Sequence, residues 1–130
     1  MEAVKVLDVK HRVIDTYLKE VGPLEAESKY WVRDVVDLST ADILMNGPKF
    51  AKDRTGYAAY IGDQVVGFAI AYTPDAWLDL LHIHPDYRGR GIAQELILAS
   101  GCRSVSVNPR NDNAVALYKK LGLEIDYDEV

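Results

Sequence analysis

Between Leu78 and Ala93 an apolar run, Leu78-Asp79-Leu80-Leu81-His82-Ile83-His84, meets Pro85, then the basic glycine-rich turn Asp86-Tyr87-Arg88-Gly89-Arg90-Gly91, then a helix start at Ile92-Ala93. Strand, turn and helix in that order bring backbone N–H groups, two guanidinium groups and a helix N-terminus to one point. Orphan amides and the helix dipole both favour negative charge there. Glycine lets the backbone close around an anion without a Cβ in the way. The stretch therefore reads as a phosphate-binding turn for a cofactor.

The 130 residues fit one domain, residues 1–130, with a single packed core. Apolar residues make up 48% and charged residues 27%, the balance of a soluble globular protein. Cys102 stands alone, which forbids an intrachain disulfide, suits a cytoplasmic location and reads as a small buried hydrophobe. No membrane is expected, because no apolar run approaches the ~18 residues of a span. A net charge of −5 argues against nucleic acid and leans toward a cationic or amine partner, although solubility alone explains it as well. No metal is expected.

Alternation from Ala3 to Val9 predicts a half-buried strand, and Val13, Ile14, Tyr17, Leu18 and Val21 follow helical spacing up to a stop at Gly22-Pro23. A second helix is expected over Glu27–Leu38, with Ser39-Thr40-Ala41-Asp42 capping a further short one that ends at Asn46-Gly47-Pro48. Tyr57–Ile61 and Val65–Tyr72 read as a hairpin about Gly62-Asp63, followed by a turn at Thr73-Pro74-Asp75 and a third strand, Trp77–Ile83. A helix with Ile92, Leu96 and Ala99 on one face closes at Gly101, and Val105 and Val107 mark a short strand. A helix from Asn111 to Leu121 buries Ala114, Leu117, Tyr118 and Leu121, before a last strand, Leu123–Tyr127. The order predicts an α+β fold, a mixed, mostly antiparallel sheet flanked by helices in three layers.

Two segments match one family. Arg88-Gly89-Arg90-Gly91-Ile92-Ala93 resembles the Q/R-x-x-G-x-G/A signature of the GNAT family of N-acetyltransferases, and Asn111 to Leu123 resembles its N-x-x-A-x-x-L-Y-x-x-x-G-F motif. The order of elements extends the resemblance over nearly the whole chain. It implies the GNAT fold and transfer of an acetyl group from acetyl-CoA, as cosubstrate, to a primary amine. The amides of Arg88, Gly89, Arg90, Gly91, Ile92 and Ala93 would hold the cofactor pyrophosphate. Main-chain groups of Leu81, His82 and Ile83 would serve the pantetheine arm and the thioester oxygen. Asn111 would contact the cofactor, and Tyr118 would protonate the leaving thiolate. Asn111 is equally placed to cap its helix, and Tyr118 to fill the core.

Attack on a thioester needs a neutral amine, so a base must take a proton. Strict alternation puts Trp77, Asp79, Leu81 and Ile83 on one face and Leu78, Leu80, His82 and His84 on the other. The resemblance places bases on the Asp79 face, making Asp79 the candidate and leaving His82 as a packed histidine and His84 at the strand end.

The chain departs from the family in a C-terminus shortened to one strand where two are usual, a short helix after the phosphate turn, and Leu123 in place of phenylalanine. An exposed last strand is expected to pair with a second copy, giving a homodimer. The acidic residues Glu124, Asp126, Asp128 and Glu129 would draw a cationic acceptor, and Tyr30 and Trp31 are candidates for its pocket. Acceptors from polyamines and aminoglycosides to protein amines stay open. The alternative is a non-catalytic CoA-binding regulatory or partner-binding module of the same fold. A nucleic-acid face built from Arg88, Arg90, Arg103, Arg110, Lys119 and Lys120 is disfavoured by the acidic whole.

Overall fold

The computed structural model describes residues 3–25, 51–107 and 109–127. The second helix, the Ser39 cap, Asn46-Gly47-Pro48, Tyr30, Trp31, Asp128 and Glu129 lie outside the described residues. The elements are β1 (Val4–Val9), α1 (His11–Glu25), β2 (Arg54–Ile61), β3 (Gln64–Tyr72), β4 (Trp77–Ile83), α2 (Ile92–Ser100), β5 (Ser104–Val107), α3 (Asp112–Lys120) and β6 (Glu124–Tyr127). They form one sheet in the order β1-β2-β3-β4-β5-β6. Its first four strands are antiparallel, while β4–β5 and β5–β6 are parallel. Short turns join β2 to β3 and β3 to β4, whereas α1 lies between β1 and β2 in the chain, and α2 and α3 supply the crossovers that parallel pairs require.

The apolar stripe of α1, Ile14, Tyr17, Leu18 and Val21, packs on Phe68 and Ile70. On the opposite face Ile92, Leu96, Ile97 and Tyr118 join Ala59, Ala69, Ala71, Leu78, Val105 and Val107. Removing a side chain such as Leu96 from water contributes about 1.5–3 kcal/mol. Both helix layers are thus held by the two faces of one sheet.

Three expectations need correction. Helix α1 continues through Gly22-Pro23 to Glu25. Pro23 forfeits one N–H bond in the last turn, and full burial of Val21 outweighs it. In α2 the buried face is Ile92, Leu96 and Ile97, while Ala99 is exposed. In α3 only Tyr118 is buried, with Ala114, Leu117 and Leu121 half-buried against the core.

The sheet is also bulged twice. Ala59 pairs with Gly67 but Tyr60 pairs with Val65, so Val66 is an extra residue in β3. Ile70 pairs with Leu80 but Ala71 pairs with Leu78, so Asp79 is an extra residue in β4. A bulge inserts one unpaired residue and re-aims the side chains beyond it.

Candidate active site

The second bulge corrects the face assignment along β4. Leu78 lies in the core beneath α2 and α3 and Leu81 and Ile83 pack against it, whereas Leu80 packs on the α1 side. Strict alternation fails at Asp79 because the inserted residue shifts the phase by one. Asp79 therefore leaves the face of Leu81 and Ile83 and meets Arg54, whose register partner Tyr72 shares the face of Ile70.

The bulge coincides with the end of a pairing. Strand β5 pairs with β4 only at Trp77–Ser104 and Leu78–Val105, although β4 runs to Ile83 and β5 to Val107. Beyond Leu78 the two parallel strands open. The His84 N–H donates to the Val66 carbonyl at 2.9 Å, so beyond the bulge Leu80 and His82 turn their main chain toward β3. Antiparallel alternation then turns Leu81 and Ile83 toward the opening. Arg88 Nε donates to the Ile83 carbonyl at 3.1 Å, which leaves the Leu81 amide and carbonyl and the Ile83 amide facing the gap. The main chain of His82 faces β3, opposite Phe68.

At the head of the opening, His84 Nδ1 accepts from the Asp86 N–H at 3.1 Å and caps a short 3-10 turn, Pro85–Tyr87. Tyr87 ties this turn to the β2–β3 hairpin by donating its hydroxyl to Gln64 Oε1 at 3.0 Å. Gly89 (φ 78°) and Gly91 (φ 80°) take left-handed conformations that suit glycine, and open space surrounds the position of a Cβ at each. Gly91 is the N-cap of α2, so the first-turn amides of that helix face outward beside an open backbone. The Arg90 guanidinium lies 5.0 Å from the Tyr87 ring centre. Arg88 instead reaches back to the end of β4, where Nη2 lies 3.2 Å from His82 Nε2.

Arg54 Nε donates to Asp79 Oδ2 at 2.8 Å, and its guanidinium lies 4.8 Å from the Tyr72 ring centre. Burial raises the Asp79 carboxyl above its ordinary range, and Arg54 opposes that rise. Sequence reasoning missed Arg54, which carries no local signal; its place follows from the hairpin register that sets it opposite Tyr72. Tyr118 belongs to the core cluster of Val105 and Val107, and burial pushes its hydroxyl up to about 12. Among the described residues that hydroxyl has no hydrogen-bond partner, and no buried polar side-chain atom is left unsatisfied, so its oxygen lies at the solvent-reaching end of the ring. Asn111 Oδ1 accepts from the Ala114 N–H at 3.3 Å and caps α3. His82 is 4% exposed, with Nδ1 2.7 Å from the Tyr17 hydroxyl. Burial first, and the nearby charges of Arg88 and His84 after it, push its imidazole down to about 3. Tyr17 was legible as a core residue but not as a partner of His82.

The family model of the acetyltransferase (GNAT) domain matches residues 52–125. An acetyltransferase of Sodalis glossinidius is 43% identical over 54 residues, 35% of this chain and 38% of that protein. The chain thus spans about two fifths of the length of the curated relatives it matches. A ribosomal-protein-alanine N-acetyltransferase from Brucella melitensis superposes with a TM-score of 0.66 at 19% identity, over 98% of this chain and 96% of that one. The aminoglycoside N-acetyltransferase AAC(6')-Iy in complex with CoA gives 0.64 at 18% identity, over 100% and 93%. At those identities the likeness is one of fold.

Proposed function

Because this chain belongs to the GNAT acetyltransferase family, we propose that it transfers an acetyl group from acetyl-CoA to a primary amine. The observation that carries the reading is the parallel pair β4–β5 opening beyond Leu78, headed by the glycine turn at Arg88–Ala93. The residues fit the cofactor. Open space at Gly89 and Gly91, with the N-terminus of α2 beside them, suits a pyrophosphate. The Leu81 amide and carbonyl and the Ile83 amide suit a pantetheine arm lying along β4 as an added strand.

In this reading Asp79 takes the proton of the attacking amine, directly or through water. Arg54 holds Oδ2, and among the described residues Oδ1 carries no hydrogen bond. A carboxylate raised by burial is a better base than an exposed one. Tyr118, with its proton retained by burial, donates to the departing thiolate. An amide of the open segment of β4 stabilises the oxyanion. The acceptor is an amine-bearing small molecule or protein, and a second copy along the β6 edge is part of the proposal. A sedimentation mass of one chain at micromolar concentration removes the homodimer.

The test is titration of acetyl-CoA, CoA and ATP, then thiol release over a panel of amines. Micromolar binding of the first two with turnover supports the proposal. Binding without turnover on any amine favours a non-catalytic CoA-binding module, and no CoA binding overturns both.

A further inference from the structure

His82 is the one buried side chain among the described residues that joins α1 to the phosphate turn through hydrogen bonds on both ring nitrogens. A guanidinium only donates, so the nitrogen facing Arg88, Nε2, carries the lone pair. The proton is then on Nδ1 and is donated to the Tyr17 oxygen at 2.7 Å. The Arg88 contact thus selects one neutral tautomer, and the Tyr17 hydroxyl accommodates it. The ring is further held against Tyr17 and Phe68, at centroid distances of 5.6 Å and 6.4 Å.

The consequence lies in the next element. Arg88 is anchored to β4 twice, by Nε on the Ile83 carbonyl at 3.1 Å and by Nη2 on His82 at 3.2 Å. The residue after it is Gly89, and Gly91 follows two positions later, both at positive φ. Glycine accepts such angles but does not select them, because its backbone visits both signs of φ about equally. What holds the turn in one shape must therefore come from side chains at its edges. Tyr87 on Gln64 braces the entry, and Arg88 on His82 and Ile83 braces the first glycine.

We propose that His82 is a positioning residue for cofactor binding: through Arg88 it holds the amides of Gly89 to Ala93 in the geometry that receives the pyrophosphate, with Tyr17 fixing the ring from the other side. This rests on the acetyltransferase reading for the identity of the ligand, but the ordering of the turn does not.

The test compares His82→Phe, His82→Gln and the unchanged protein by CoA titration, by acetyl-CoA kinetics and by amide hydrogen exchange without ligand. His82→Phe keeps an aromatic ring but accepts nothing from Arg88. It weakens CoA binding and raises KM for acetyl-CoA about tenfold while kcat moves less than about twofold. Exchange speeds up at Gly89–Ala93 and not in β2 or β3. In His82→Gln, Oε1 accepts from Arg88 and Nε2 donates to Tyr17, so most of the affinity returns. A merely structural histidine would raise exchange across the sheet and give no split between KM and kcat. Folded His82→Phe with ordinary CoA affinity and unchanged turn exchange overturns the proposal. Should that variant not fold, Tyr17→Phe and Arg88→Lys carry the same measurements. Arg88→Lys keeps the charge but loses the forked contact, and an unaltered turn in both overturns the proposal as well. If the unchanged protein binds no CoA, the acetyltransferase reading fails, and turn exchange in the variants still decides whether His82 orders the turn.

Discussion

Arg54 and Asp79, 25 residues apart in sequence, meet at 2.8 Å at the residue that bulges β4. The ion pair ties the first residue of β2 to β4 at the point where β4 and β5 part, and the Arg54 charge opposes the burial that raises the pKa of the candidate base. Removing the carboxylate in Asp79→Asn lowers kcat by about 10²–10⁴-fold, the usual contribution of a general base, with CoA affinity retained. Arg54→Gln removes the charge that lowers the Asp79 pKa and leaves the burial that raises it. The base is then ionised only at higher pH, so the acid limb of kcat/KM moves upward. An unmoved limb in that profile would take Asp79 out of the base role.

Tyr118→Phe separates chemistry from packing. The ring stays in the core, and the lost hydroxyl has no partner among the described residues. Unfolding free energy by urea titration stays within about 1 kcal/mol, while kcat falls at least about tenfold. Equal turnover in the variant would return Tyr118 to the core alone.

Asn111 has two candidate duties that one substitution each can divide. Asn111→Ala removes the cap on Ala114 N–H and costs about 1 kcal/mol of stability. Asn111→Ser keeps a capping oxygen but shortens the side chain. A loss of CoA affinity in Asn111→Ser at unchanged stability, read by calorimetry beside denaturation, marks the cofactor contact; unchanged affinity marks a cap.

Gly67 is needed for close approach, not for its backbone angle. A Cβ there would lie 2.9 Å from Ile83 Cδ1, 3.0 Å from the His82 carbonyl oxygen and 3.3 Å from Leu96 Cδ1. The backbone contact cannot swing aside, so Gly67→Ala destabilises by about 1–3 kcal/mol. Chemical denaturation of the purified variant checks it, and stability equal to the unchanged protein would contradict the packing of α2 on β3.

Acid should weaken the fold through His82. Its imidazole titrates near 3 when folded and near 6.5, the ordinary value, when unfolded. Between those values the unfolded chain binds the extra proton, so stability is full above about pH 6.5 and falls on acidification toward pH 3, at up to about 1.4 kcal/mol per pH unit. Denaturation at pH 7 and pH 4 should show a drop that shrinks in His82→Gln, which cannot titrate there.

The order of the described elements, the glycine turn and the capping place of Asn111 were legible because their signals are local. Helical spacing, a proline beside a strand end and a glycine at a cap each act within a few residues. The six strands appear in the expected order, and the turn at Gly62-Asp63 joins the expected hairpin. Faces were less legible. Period-two alternation assigned Leu78 to the side of Leu80 and His82, and a single inserted residue at Asp79 reversed that.

By itself, then, the sequence determined the order of the described strands, the glycine turn and the family, since these depend on residues near one another along the chain. Tertiary structure alone decided that β4 bulges at Asp79, that Arg54 meets it, that β5 parts from β4 after Leu78, and that Arg88 turns back to His82 and Ile83. Each of these depends on which strand lies alongside and on which distant side chain supplies the counter-charge or hydrogen-bond partner, and those are set only when the sheet has closed on its register.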